Sequence, residues 1–316
     1  MARFIIVTAA DANYGELAAQ LIASIRAMPE GKDVAIGLID AGLDAQQRDR
    51  FREVGVDVIE AGWDYDFSGH AVPPKRYLLA LTTRPHLPRY FPGYDVYLHI
   101  DADAWLQDWT AIELYVSAAE ERGFSIAPEV DRSYSMIHGN TSDNEVKYLT
   151  YRQYFVEETA RRLTVLPQLN GGVFAGRVSA PHWKTWHDLM VRVYASLAQN
   201  PALDPQTLFY AEQACLNGAL WHMPEPPAFL PAWCNWLCHR ALPRCSEDGS
   251  ILFEPNPPYR KLGIVHLTGG AKNQQFELRD ARNGRHVRWL HYLGSEGSRP
   301  RPVVLPMRLA SVEFRS

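Results

Sequence analysis

The sequence predicts an α/β protein, and two observations carry that prediction. In the first half, short apolar runs alternate with segments whose apolar residues recur at helical spacing. One of those runs, Val96-Tyr97-Leu98-His99-Ile100, reads as a buried strand and ends in two carboxylates, Asp101 and Asp103. Open α/β sheets bind ligands at the carboxyl ends of their strands, so the pair stands where a site is expected.

The elements follow in order. Residues 4–8 read as the first strand, and 14–28 as a helix with Leu17, Leu21, Ile22 and Ile25 at helical spacing. Residues 34–39 form a second strand, 45–54 a polar helix and 56–59 a short third strand. Residues 77–90 start as a helix that Pro85 and Pro88 break. The turn residues Pro92, Gly93, Tyr94 and Asp95 lead into the Asp-x-Asp strand, followed by a helix over 112–122 and a strand over 124–127. The layout suits a nucleotide, yet no G-x-G-x-x-G follows the first strand and there is no P-loop.

Residues 131–144 are polar and read as a loop, and 151–163 and 182–197 read as helices. Residues 169–176, containing Asn170-Gly171-Gly172, read as a glycine-rich turn into a strand. A helix over 210–220 and a proline-rich loop over 224–231 come next. Ile264-Val265-His266 is a short strand that opens into Thr268-Gly269-Gly270-Ala271-Lys272. From Ser295 the chain is rich in Arg and Pro and reads as a tail.

A net charge of -4 argues against bulk nucleic-acid binding. No stretch is long and apolar enough to span a bilayer. The N-terminus reads as a strand, not a signal peptide, so a cytoplasmic protein is expected. Cys234, Cys238 and Cys245 lie near His239, but their spacing lacks the paired knuckles of structural zinc. Buried free thiols are expected there and at Cys215.

Two close carboxylates repel unless a cation sits between them, and hard oxygen ligands suit Mg²⁺ or Mn²⁺. The bland alternative is an Asp-x-Asp on a solvated loop. His266, at a strand end, could complete a metal site. Gly269 and Gly270 would let backbone amides approach an anion, with Lys272 neutralising a phosphate oxygen. The alternative is a core histidine followed by a turn.

At this point the chain resembles a retaining glycosyltransferase of family eight, which contains lipopolysaccharide galactosyltransferases and glycogenin. Four landmarks carry the resemblance, and together they span residues 4–272. They are Val7-Thr8-Ala9-Ala10-Asp11-Ala12-Asn13-Tyr14, Leu98-His99-Ile100-Asp101-Ala102-Asp103, Asn170-Gly171-Gly172-Val173 and His266-x-x-Gly269-x-x-Lys272. The resemblance implies a GT-A type fold with a mixed central sheet flanked by helices. It implies one such domain over 1–275, with a nucleotide half to about 130, and a basic C-terminal segment and tail over 276–316.

By the same resemblance Asp101, Asp103 and His266 hold Mn²⁺, with Mg²⁺ as the alternative, beneath a UDP-sugar. Lys272 and Gly269 hold the diphosphate, Ala9, Asp11 and Asn13 meet the uridine, and Arg84 contacts the donor. Asn170 and Gly171 line the sugar, and Glu212 and Gln213 stand beside it as the catalytic pair. Each keeps a plainer alternative. Asp11 and Asn13 could cap a helix, Arg84 could pair with a surface carboxylate, Asn170-Gly171-Gly172 could be only a turn, and Glu212-Gln213 could be an exposed helix face.

Three positions depart from the family: Glu212 where Asp is commoner, Gly171 for Ala or Ser, and Asn273 for Pro. A saccharide or glycolipid acceptor is implied, with Trp233, Trp236 and Tyr259 as either stacking faces or core aromatics. Arg279, Arg282, Arg285 and Arg288, beside Trp289 and Tyr292, form either a solvated basic face or a peripheral contact with the inner face of a membrane. Two other classes compete: a phosphatase of the haloacid dehalogenase type, and a nucleotide-sugar binder without turnover.

Overall fold

The computed structural model describes residues 2–70, 73–134, 141–199 and 205–292. The first strands are β1 (Phe4–Ala10), β2 (Ala35–Asp40), β3 (Asp57–Glu60), β4 (Val96–Ile100), β5 (Ala104–Leu106), β6 (Phe124–Pro128), β7 (Leu169–Arg177) and β8 (Ala228–Phe229). All of them except β5 form a seven-stranded sheet in the order β3-β2-β1-β4-β7-β6-β8. Strands β3, β2, β1 and β4 run parallel, β7 runs antiparallel to β4 and β6, and β8 is parallel to β6. The central sheet is therefore mixed, as expected.

Both faces of the sheet are covered, because its central strands are apolar at successive positions. Ile6, Leu38 and Leu98 point into one core with helices α1 (Gly15–Arg26) and, beyond the polar α2 (Ala45–Glu53), α5 (Thr110–Arg122). Ile5, Val7 and Tyr97 point into the other. There they meet the short helices α3 (Leu79–Thr82) and α4 (Leu87–Tyr90) and, after α6 (Thr141–Arg152) and α7 (Glu157–Val165), the long helices α8 (His182–Leu197) and α9 (Pro205–His222). Period-two alternation on β1 and β4 makes this three-layer arrangement.

The remaining strands are short: β9 (Trp236–Leu237), β10 (Arg244–Cys245), β11 (Leu252–Phe253), β12 (Ile264–His266), β13 (Gln275–Arg279) and β14 (Arg285–Trp289). Strands β5, β12 and β9 form a second sheet, and its register sets Ala104 opposite His266. This small sheet, absent from the sequence reading, carries the second half of the site to the first.

Several expectations need correction. Asn170-Gly171-Gly172 is not a turn but part of β7, whose later residues pair with β4 on one side and β6 on the other. Helix α6 begins inside the segment read as a loop, and a break at Gln153–Val156 separates it from α7 where one helix was read. The acidic Glu157 and Glu158 open that new helix at its electropositive end. Strand β8 lies inside the proline-rich loop.

Strands β13 and β14 form a hairpin whose Leu278 lies in the main core with the following Leu290. Its arginines are largely paired: Arg282 with Glu247 at 2.7 Å and Arg285 with Glu277 at 3.4 Å. The tail from Ser295 lies outside the described residues. Among the described residues no helix is long and apolar enough to cross a membrane.

Candidate metal centre

The site is built where β4 ends. The Asp101 N–H donates to the Gly172 carbonyl at 2.7 Å, and the Leu267 N–H donates to the Asp103 carbonyl at 2.8 Å. These backbone bonds tie the Asp-x-Asp turn to β7 and to the residue after β12. Asp101, Asp103 and His266 thereby converge, each offering a ligand atom within 4.8 Å of the others. Two of the three are fully buried: Asp103 is 8% and His266 2% exposed.

Neighbouring side chains claim some atoms of this group and leave the others free. Arg84 donates to Asp101 Oδ1, as does His99 Nε2 at 3.0 Å. Lys272 Nζ donates to Asp103 Oδ2 at 2.5 Å. His266 Nδ1 is 2.9 Å from Asn235 Oδ1. What remains is Asp101 Oδ2, Asp103 Oδ1 and His266 Nε2. The imidazole nitrogen lies 3.8 Å from the first oxygen and 3.3 Å from the second.

Charge in the site follows from burial set against these partners. Burial disfavours ionised Asp103, but the Lys272 ammonium beside it outweighs burial and holds its carboxyl well below the usual range. Asp101 is lowered in the same way, with Arg84 and His99 outweighing burial. Burial and then the Arg84 charge push His99 down to about 4, so it is neutral and donates its Nε2–H. Burial, helped by the nearby Asp101 charge, pushes Glu212 up to about 7 even though Arg84 Nη1 donates to its Oε2 at 2.9 Å.

The residues fit a divalent ion on two observations. Two carboxylate oxygens and one imidazole suit Mn²⁺ better than the harder Mg²⁺, and three protein ligands leave positions for substrate oxygens. The second is Gly172. A Cβ there would lie 2.2 Å from His266 Cε1 and 2.7 Å from Asp101 Oδ2, so the strand must be bare at that point for the ligands to meet.

The other expected residues surround this group unevenly. Lys272 lies in a 3-10 turn, Gly269–Asn273, whose first glycine has φ +60°. Ala9 is near the end of β1, and Asp11 Oδ1 accepts from the Asn13 and Tyr14 N–H groups at 2.9 and 3.1 Å, tightening the turn into α1. Tyr14 then brings its ring 5.4 Å from Lys272 Nζ. Arg84 is buried and pairs inside the site, not with a surface carboxylate. Gly171 N–H points to Gln213 Oε1 at 3.4 Å.

Glu212 is 1% exposed, so it is not an exposed helix face; it lies behind Arg84. Asn170 is committed at both ends of its amide, to Glu129, Gly172 and Asn235. Trp233 and Trp236 are core aromatics, whereas Tyr259 is exposed. All four cysteines are buried free thiols, outside the metal-ligand group.

Sequence reasoning missed His99, Gly172, Asn235 and Glu129 as members of the site. His99 left a signal, as the one polar residue in an apolar strand. Asn235, the residue before the two-residue β9, left none.

Comparison with solved structures places the architecture. The galactosyltransferase LgtC, in complex with donor and acceptor sugar analogs, matches with a TM-score of 0.53 at 16% identity, over 84% of this chain and 88% of that one. An active-site mutant of LgtC matches with a TM-score of 0.53 at 15% identity, over 84% of this chain and 87% of that one. The bifunctional glycosyltransferase WbbM in its apo form matches with a TM-score of 0.51 at 12% identity, over 86% of this chain but only 47% of that one. The chain therefore shares the GT-A fold of these proteins. No family model and no curated protein sequence matches it.

Proposed function

We propose that this chain is a metal-dependent retaining glycosyltransferase that moves a hexose, glucose or galactose, from a UDP-sugar to a hydroxyl of a saccharide or glycolipid. The observation that carries the reading is the set of three unclaimed ligand atoms, on Asp101, Asp103 and His266, at the end of the central strand of a GT-A sheet. The structural neighbours named as glycosyltransferases support it.

In this reading Asp101, Asp103 and His266 hold Mn²⁺, which when bound neutralises charge on the departing diphosphate. Lys272, at the mouth of the glycine turn, exchanges its contact with Asp103 for a phosphate oxygen and stabilises the same developing charge. Ala9, Asp11 and Asn13 face the nucleotide. Arg84, held by Asp101 and Glu212, stands at the donor-sugar side beside Gly171. Gln213 accepts from that glycine's N–H at 3.4 Å, and its own amide is a poor nucleophile. Glu212 is buried and tied to Arg84, so it positions Arg84 instead of attacking. The acceptor hydroxyl then arrives on the face that UDP leaves, and the leaving phosphate takes its proton.

The test is UDP release from a panel of UDP-sugars, with Mn²⁺ and with EDTA, by wild type and Asp103→Ala. Turnover of one donor, lost with EDTA and in the variant, is expected. Absence of donor binding under any metal would remove the reading, and phosphate release from simple esters would replace it with a phosphatase.

A further inference from the structure

Asn235 is also the end of a buried chain of side chains that starts at a carboxylate away from the metal ligands. Arg240 Nη2 donates to Glu129 Oε2 at 2.7 Å. Asn170 Nδ2 donates to Glu129 Oε1 at 2.9 Å. Asn235 Nδ2 donates to Asn170 Oδ1 at 3.0 Å, and Asn235 Oδ1 faces His266 Nδ1 at 2.9 Å. Glu129, Asn170, Asn235 and His266 are all buried. They come from the residue after β6, from β7, from the residue before β9, and from β12.

The direction of this chain is dictated, not free. An ionised carboxylate only accepts, so the Asn170 amide must turn its NH₂ to Glu129. Its oxygen then faces the other way, where it also accepts the Gly172 N–H at 3.0 Å, a donor that cannot be reversed. Asn235 must therefore offer NH₂ to Asn170 and oxygen to His266. An oxygen at that place requires the proton on Nδ1, so in the neutral imidazole the lone pair is on Nε2, which faces Asp101 and Asp103.

We propose that Glu129 is a positioning residue which, through Asn170 and Asn235, holds His266 in its Nδ1–H tautomer and so makes Nε2 a metal ligand. The inference rests on the metal-centre reading above and goes beyond it by assigning a role to a carboxylate that touches neither metal nor substrate. It also accounts for Asn170, whose amide is used up by the chain.

Glu129→Gln tests it without changing side-chain size. The new amide must give its oxygen to Arg240, which sets NH₂ against NH₂ at Asn170 and breaks the polarity. Mn²⁺ affinity, read by electron paramagnetic resonance of the free ion, is expected to fall about tenfold. In Asn235→Asp one carboxylate oxygen accepts the Nδ1 proton whichever way the amide at position 170 faces, while the other loses the hydrogen bond to Asn170 Oδ1 and uncouples the two residues. Adding Glu129→Gln to Asn235→Asp is therefore expected to change affinity less than about twofold relative to Asn235→Asp alone.

A second readout is the Nδ1–H signal of His266 in ¹⁵N-histidine-labelled protein loaded with Zn²⁺, identified by its absence in His266→Gln. It is expected to be protected in wild type and lost or displaced in Glu129→Gln. An equal fall from Glu129→Gln in both backgrounds, or an unchanged affinity and signal, overturns the proposal. Should Glu129→Gln not fold, Asn235→Leu removes the acceptor directly, and an unchanged Nδ1–H signal there overturns it equally. Failure of wild type to bind Mn²⁺ would instead bring down the metal reading itself.

Discussion

Gly172→Ala is the sharpest single test of the site, because it adds one carbon to a place that has no room for it. The added Cβ would stand 2.2 Å from His266 Cε1 and 2.7 Å from Asp101 Oδ2. Carbon atoms in contact prefer about 3.5–4.0 Å, so the imidazole or the strand must yield by more than about 1 Å. The strand is held: β7 is paired with β4 and β6, and the Gly172 carbonyl accepts the Asp101 N–H at 2.7 Å. The ligands must move instead, and a metal site tolerates only about 0.2 Å in its ligand distances. Mn²⁺ affinity should fall at least about 100-fold, while overpacking costs about 1–3 kcal/mol of stability. Calorimetric titration with Mn²⁺ and urea unfolding read the two effects separately. Gly171→Ala is the control, since its Cβ would meet the ends of Arg84 and Leu216 at 3.2 Å and Glu212 Oε1 at 3.6 Å, and neither His266 nor Asp101. If Gly172→Ala binds Mn²⁺ as tightly as Gly171→Ala, the metal does not sit among these three ligands.

Three further changes probe the charges around the ligands. Arg84→Met leaves the buried Glu212 and the half-buried Asp101 without their guanidinium and should cost about 3–5 kcal/mol in urea unfolding, partly recovered by adding Glu212→Leu. Glu212 is pushed up to about 7 in the folded chain from an ordinary 4.5, so the native state holds its proton longer than the unfolded state does. Its contribution is therefore present below about pH 4.5 and lost as pH rises towards 7, about 3 kcal/mol in all. Glu212→Gln should abolish that share of the pH dependence, and an identical slope in wild type and variant would refute it. Lys272→Met should weaken UDP binding in the presence of Mn²⁺ by about 1.5–3 kcal/mol. It should not weaken Mn²⁺ alone, because it removes a competing cation from Asp103.

The parts of this protein legible in its sequence are those whose cause is local. A run such as Val96–Ile100 is buried on both faces whatever its neighbours do, and the carboxylates after it stand at a strand end by the arithmetic of the pleat. The glycines of β7 resisted reading because a glycine reports only that something comes close, never what. Read alone, Asn170-Gly171-Gly172 has the composition of a turn; it lies in a strand, and Gly172 is a glycine there because His266 and Asp101 leave no room for a side chain.

Glu212 resisted for a related reason. Helical spacing says which residues share a face, but α9 is buried on most sides, and its narrow outer stripe through Phe209, Tyr210 and Gln213 leaves Glu212 inside. The polarity of Asn170 and Asn235 lies furthest from the sequence. An amide side chain looks the same in either orientation, and only a carboxylate at one end and a backbone N–H in the middle decide it. Those anchors come from strands that meet only in the folded sheet. The orientation of the metal-facing imidazole is therefore a property of the tertiary structure, although every residue that sets it is plain in the chain.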